Sequence, residues 1–493
     1  MNWRIGRWLM FGCLAMAAGG GGAWAQAAGP LGLFAEHADV GAVLHAGSVA
    51  YDAAKHSYTI SGSGENVWAA ADAFQFVWKK MEGDFTLTAD ISILGQGGDP
   101  HKKAMLMARQ SLDADSAYAD VALHGVGLTS LQSRDAKSAD THEIQSNISA
   151  PKKLRLQKYG DEFTMWLAGE DGKFRFAGGS MRVPLTGTFY VGLGVCAHNK
   201  DAVETAEFSD VAVEVGPTVA EQLGSLETVA VSSTDRRVTY VGSTRVGSPR
   251  FAQDGASLVF GEGGQIWRVP SAGGKPEVYA EARKDHGVSP DGTLGFSVIC
   301  SGSGCYIYVV PTAEGEMRRV AGGCCPIWSP DGKTIVFMAD RDGHFDIVSV
   351  PTAGGDERWL TTEGVNSGAE FSPDGQYIYF NSDRSGVMEV WRMNPDGSQP
   401  VRVVNDGSNN WFPHVSPDGR FLAFLTAPGA GLRFPASFEP AVLRVMTLAD
   451  GRIRTIANLM AGPWTLSELP WSPDSQRIAL VSYQGVRVGE RAP

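Results

Sequence analysis

Over residues 30–216 the apolar positions fall in short runs with a period near two. The runs are Ala73–Trp78, Asp84–Ile93, Ala104–Ser111, Tyr118–His124, Leu154–Tyr159, Phe163–Leu167 and Phe189–Ala197. Turn signals such as Glu170-Asp171-Gly172-Lys173 separate them. About a dozen short strands without helical periodicity predict a two-sheet sandwich.

After residue 225 the pattern becomes a repeat. Ser289-Pro290-Asp291-Gly292 returns at 329–332, 372–375 and 416–419, then as Ser472-Pro473-Asp474-Ser475, with a weaker copy at Ala252-Gln253-Asp254-Gly255. The Asp-to-Asp spacings are 37, 40, 43, 44 and 56. Each copy follows one large apolar residue: Phe251, Val288, Trp328, Phe371, Val415 or Trp471. Pro fixes φ, Asp bonds the backbone two residues on and Gly supplies positive φ, so each copy closes a hairpin. The unit 327–362 reads as four antiparallel strands, one propeller blade. Six such units predict a six-bladed ring. The run Glu227–Val241 is expected to supply the outer strand that the last unit lacks and to lock the ring.

Composition agrees with an all-β chain. Gly and Pro together make 86 of 493 residues, with no collagen period. Net charge is −12, and no basic footprint is present, which argues against nucleic acid as a partner. Arg4 and Arg7, an apolar stretch Trp8–Ala18 and the small-x-small site Ala23-Trp24-Ala25 predict a signal peptide over 1–25. Export to the periplasm or beyond follows, with no transmembrane segment after cleavage. The two domains are expected at 30–216 and 225–493, with the boundary at Gly216-Pro217-Thr218. Cys300, Cys305, Cys324 and Cys325 are disulfide candidates in an oxidising compartment. The Ser-Gly-Ser-Gly linker would set the first two across a hairpin, but four cysteines allow three connectivities and all remain open.

Trp328 to Gly332 with Ala339-Asp340-Arg341-Asp342-Gly343, and Phe371 to Gly386, resemble the repeat of the TolB-type periplasmic family. That resemblance spans roughly 225–493 and implies a propeller; its functional reach is short, because the same repeat occurs in peptidases, lyases and uncharacterised exported proteins. TolB-type proteins carry a small α/β domain before the propeller, where this chain has strands. Glu82-Gly83-Asp84-Phe85, Lys103 with Arg109, Leu154-Arg155-Leu156 with Gly160-Asp161 and Phe163, and Gly192 to His198 resemble a concanavalin-like, laminin-G-like jelly roll over about 45–215. That second resemblance implies glycan binding, in some members through calcium. No calcium motif stands in this sequence, and no cofactor or metal is expected.

The candidate chemistry follows the alternation. Asp120 and His124 share one face of their run, Gln132 and Arg134 share a face of the next, Arg109 interrupts a Met-rich run and His198 ends an apolar one. On a jelly roll they would bond sugar hydroxyls, with Trp68, Trp78 or Trp166 for stacking. The Glu-x-Asp-x-Glu strand of jelly-roll glucanases is absent, and Glu204, Glu207 and Asp210 are mis-spaced for it. No Gly-x-Ser-x-Gly domain accompanies the propeller. On the propeller face Arg250, Glu370, Trp411, His414, Arg433, Phe434 and Trp464 are candidates for holding a partner. The expected function is thus an exported, non-enzymatic binding protein. The jelly roll would hold polysaccharide or peptidoglycan, and the propeller an envelope protein or peptide. The alternatives are a carbohydrate-active enzyme, hydrolase or lyase, and a TolB-like envelope component.

Overall fold

The computed structural model describes residues 31–216, 221–233, 235–243, 245–279, 287–301, 304–313, 315–427, 439–462, 465–466 and 470–486. The expected signal peptide, Arg433, Phe434, Trp464 and most of the expected domain boundary lie outside them. The described residues are all-β, with no helix among them.

Two sheets face each other in the N-terminal part. A seven-stranded sheet runs Phe174–Arg182, Glu162–Ala168, Lys153–Tyr159, Phe85–Leu94, Asn199–Val215, Ser57–Gly64, Ser48–Asp52. A ten-stranded sheet opposes it, beginning Glu36–Val40, Phe74–Met81, Phe189–Cys196, Lys103–Arg109, Tyr118–His124, Thr129–Arg134, His142–Gln145. Alternation sends Leu106, Val121, Leu131, Ile144, Leu193 and their neighbours inward, onto Leu87, Leu154, Phe163 and Phe208 of the other sheet. This is the predicted sandwich, with the core between the sheets.

The ten-stranded sheet does not stop at the sandwich. His142–Gln145 pairs in parallel with Asp235–Ser243, matching Glu143 with Asp235 and Gln145 with Arg237. Asp235–Ser243 pairs with Glu221–Ala230, and that strand with Arg477–Val486 near the C-terminus. The run expected to lock the ring therefore forms two strands, and it also joins the sandwich. Beneath the joint Arg236 is buried against Glu227 at 2.7 Å, and its Nη1 donates to the carbonyl of Asn458 at 3.1 Å. Asn458 Nδ2 reaches Asp135 Oδ2 at 3.2 Å, and the Gly179 amide donates to Ser225 Oγ at 2.9 Å. Gly178, at φ 88°, lies so close to Val238 that a Cβ would meet its methyl at 2.5 Å.

Five blades stand as separate sheets, their innermost strands being Gly247–Phe251, an isolated bridge at Val288, Cys324–Trp328, Asn366–Phe371 and Asn410–Val415. The last Ser-Pro-Asp turn follows a bridge at Trp471 and opens Arg477–Val486, so the final unit is the end of the ten-stranded sheet. Arg477–Val486 packs beside both Gly247–Phe251 and Ile453–Ala461, between the first and fifth blades. The turns repeat one geometry. Ser289, Ser329, Ser372, Ser416 and Ser472 each donate to the Asp two residues on at 2.6 Å. Each of these hydroxyls also accepts the amide five residues on, at 2.9–3.0 Å. The fourth residue has φ near 71°, as in Gly332 and Gly375, and Ser475 takes 61° in the degraded copy.

Candidate functional site

The outward face of the ten-stranded sheet carries a layer of polar side chains. Asp120, Gln132 and Glu143 fall on one rung of three adjacent strands, because Asp120 pairs with Gln132 and Gln132 with Glu143. Gln132 Nε2 donates to Glu143 Oε1 at 2.9 Å. Lys103 Nζ donates to Gln132 Oε1 at 3.1 Å and to the Val67 carbonyl at 2.9 Å, and it sits 5.3 Å from the Trp68 ring. One end of the layer is a triad. Asp72 accepts from Arg134 at 2.8 and 3.1 Å and from Arg109 at 3.2 Å. The two guanidinium groups then reach the backbone of the covering segments, at Ala69, Ser111, Asp113 and Ser116.

Those segments change what the predicted residues do. Val67–Trp68 and Ala71–Asp72 form a small hairpin over the layer, and 111–116 closes its flank. Arg109, Asp120, His124, Gln132 and Arg134 do share one face, as alternation requires, but all five are buried. They are therefore not an open, sugar-accessible sheet face. The reason is local: two arginines with one carboxylate need backbone carbonyls, and the covering loops provide them.

Burial sets the chemistry of the layer. Both carboxyl oxygens of Asp120 lack a hydrogen-bond partner, and burial pushes this carboxyl well above the usual range. Burial likewise pulls the Lys103 ammonium down. It takes His124 down to about 3, with Lys103 and His101 adding repulsion, so this imidazole is neutral at pH 7. Asp120 and Glu143 are two carboxyl groups on one rung, and both are buried beneath the cover.

The layer meets solvent at the His124 end. His198, at φ 53°, pairs through Nδ1 with Asp99 at 3.2 Å and through Nε2 with Asn66 at 3.1 Å. His101 is exposed and packs 5.5 Å from the His198 ring and 6.0 Å from the His124 ring. Trp68, half-buried, completes this rim. Among the described residues no group of three His, Cys, Asp or Glu is placed to hold a metal ion. The sequence reading missed Asp72, Glu143, His101 and Asp99. Glu143 was legible in principle, since His142-Glu143-Ile144-Gln145 alternates, but four residues make a faint signal.

The propeller candidates divide differently. Glu370 and His414 sit on the inner strands of adjacent blades, both buried. His414 Nδ1 meets Glu370 Oε2 at 2.6 Å, and the Val415 amide donates to Glu370 Oε1 at 3.1 Å. They join two blades. Trp411, expected as an exposed anchor, is instead in the core with Leu425, Leu443 and Leu459; alternation turns it inward. Arg250 is half-exposed. Of the cysteines, Cys300 and Cys305 form a disulfide across their hairpin, while Cys324 and Cys325 are outside any disulfide.

The inner strands share an irregularity. Their ladders slip between Gly247 and Arg250, Cys324 and Ile327, Ser367 and Glu370, and Trp411 and His414. In each slip one residue has positive φ: Ser248 at 50°, Cys325 at 53°, Gly368 at 60°, Phe412 at 55°. Proline follows three of the four, as Pro249, Pro326 and Pro413. These are β-bulges on the innermost strands of the first, third, fourth and fifth blades.

The fold and repeat define the C-terminal part as a β-propeller. The TolB β-propeller family profile matches residues 320–452. An uncharacterised Agrobacterium fabrum protein, Atu1656, is 33% identical over 270 residues, covering 52% of this chain and 92% of the relative. A solved Agrobacterium tumefaciens structure carrying the TolB name is 31% identical, with 54% of this chain and 100% of that one covered and a TM-score of 0.49. TolB of Acinetobacter baumannii is 15% identical, with 67% and 79% covered and a TM-score of 0.35. With that profile match and a relative 33% identical over 92% of its length, the chain belongs to the TolB-type β-propeller family.

Proposed function

We propose that this chain is an exported binding protein of the cell envelope that holds a protein or peptide partner at the bulged end of its propeller. The observation that carries the reading is the bulge repeated at one level in four blades. It gathers Ser248, Cys325, Gly368 and Phe412 on the innermost strands, with Cys325 exposed and Ser248 and Phe412 half-exposed. Strained backbone held in register across blades is characteristic of a working surface rather than a spacer. Membership of the TolB-type propeller family supports a periplasmic or secreted place. The test is photo-crosslinking in envelope extracts, with the reactive residue at position 412 or, as control, at Thr352 beside the Ser-Pro-Asp-Gly end. Defined adducts from 412 alone support the reading; equal adducts, or none, refute it.

A second reading concerns the sandwich. Trp68 over Lys103, with His101 and His198 at the rim, supports a jelly-roll-type glycan contact there. Full chain should co-sediment with peptidoglycan or an insoluble polysaccharide, and Trp68→Ala should abolish it. Retention by the variant, or no pelleting at all, removes the glycan role.

A further inference from the structure

The backbone brings the start of the third blade, which carries Cys324 and Cys325, against the disulfide-bonded hairpin of the second. Cys300 and Cys305 are direct cross-strand partners at the end of their hairpin, and Cys300 is exposed. The outer strand of that blade, Arg318–Gly322, pairs back along Tyr306, and the next amide, Gly323, donates to the Cys305 carbonyl at 2.9 Å. The chain then starts the third blade at once with Cys324 and Cys325. Two reduced thiols therefore begin one residue from a backbone contact with a disulfide. Cys325 is exposed on its bulge, and its thiol hydrogen bond draws the Cys324 thiol below the usual cysteine range. The contrast is Cys196, whose thiol burial pushes up to about 11.

We propose that these four residues form an internal thiol–disulfide exchange site, in which Cys324 attacks Cys305 and releases Cys300. The Cys324 thiol loses its proton to solvent, and its thiolate forms a bond with Cys305 Sγ. The Cys300–Cys305 bond breaks, and Cys300 leaves as a thiolate that takes up a proton. One disulfide is lost and one formed, so no oxidant or reductant is consumed. The exchange moves a free thiol from the start of the third blade to the exposed tip of the second. There the Cys300 thiolate can attack a disulfide of a partner polypeptide, forming a mixed disulfide and releasing one partner cysteine as a thiolate that takes up a proton. The vicinal pair itself is a poor bridge, because adjacent residues cannot reach ordinary disulfide geometry without strain. Cys325 thus serves as hydrogen-bond donor to the attacking thiol.

The test uses the full chain equilibrated in reduced and oxidised glutathione, quenched with N-ethylmaleimide and mapped by mass spectrometry. The expected result is two linked peptides, Cys300–Cys305 and Cys305–Cys324, with label on Cys300 in the second species. Cys324→Ser should lose the second peptide, and Cys325→Ser should keep it. Cys300→Ser should convert Cys305 wholly to the Cys324 bond, which keeps the test open should another variant misfold. Finding Cys300–Cys305 as the sole linkage at every glutathione ratio would overturn the proposal. So would free Cys305 and Cys324 in Cys300→Ser.

Discussion

Asp72→Asn tests whether the polar layer is a structural clamp. Asp72 is the one carboxylate between Arg109 and Arg134, and all three side chains are wholly buried. It accepts three charge-assisted hydrogen bonds, at 2.8, 3.1 and 3.2 Å. The amide keeps the shape but leaves two buried cations without a counter-charge and points an N–H₂ at a guanidinium. Removing one partner of a buried ion pair costs about 3–5 kcal/mol. For a cooperative unit of roughly 150–250 residues, each kcal/mol lowers Tm by about 2–4 °C, so the drop should be about 6–20 °C. Differential scanning calorimetry on the full chain reads it directly. Arg109→Met in the Asp72→Asn background should return part of the loss, since it removes one stranded cation. A drop below about 2 °C, or no recovery in the double variant, would refute the clamp and reopen Arg109 and Arg134 as ligand-binding residues.

Two further predictions concern the ring and the joint. Serine hydroxyls hold the carboxyls of Asp291, Asp331, Asp374 and Asp474 below the usual range. A carboxyl depressed in the folded state stabilises it above the unfolded value and loses that contribution as pH falls through the folded one. Urea midpoints should therefore fall as the pH drops below the ordinary aspartate range, and Ser329→Ala with Ser372→Ala should flatten the fall; an unchanged slope would contradict it. Gly178→Val drives a side chain into Val238 at a positive φ, and should split one calorimetric transition into two, one for the sandwich and one for the ring. A single transition shifted as a whole would mean that the two parts stay coupled without the Gly178 contact.

The repeat was the most legible part of the chain, since Ser-Pro-Asp-Gly writes its own turn geometry and the structure reproduces it copy by copy. The sandwich could be read from alternation, and so could the shared face of Arg109, Asp120, His124, Gln132 and Arg134. Alternation gives a face but not what lies over it. The cover comes from Val67–Trp68, Ala71–Asp72 and 111–116, segments too short and irregular to show a period. Trp411 misled for the same reason: an aromatic beside Asn409-Asn410 looks like a loop anchor until the bulge fixes its register. The parallel pairing of His142–Gln145 with Asp235–Ser243 had no local signal, because it joins strands some ninety residues apart in sequence.

The bulges on the inner strands bear on how anything entering the ring can be held. A regular innermost strand would turn a row of free amides and carbonyls toward the axis, a template on which an extended peptide could zip as one more strand. Here Pro249, Pro326 and Pro413 each take an amide out of that row, and the positive-φ residue before each bends the carbonyl spacing out of step. In those three blades the rim is a poor template for backbone pairing. Under the proposed function, an incoming chain would have to be recognised through side chains, so exchanges at 248, 325, 368 and 412 would retune preference while leaving the outer ladders of the blades untouched.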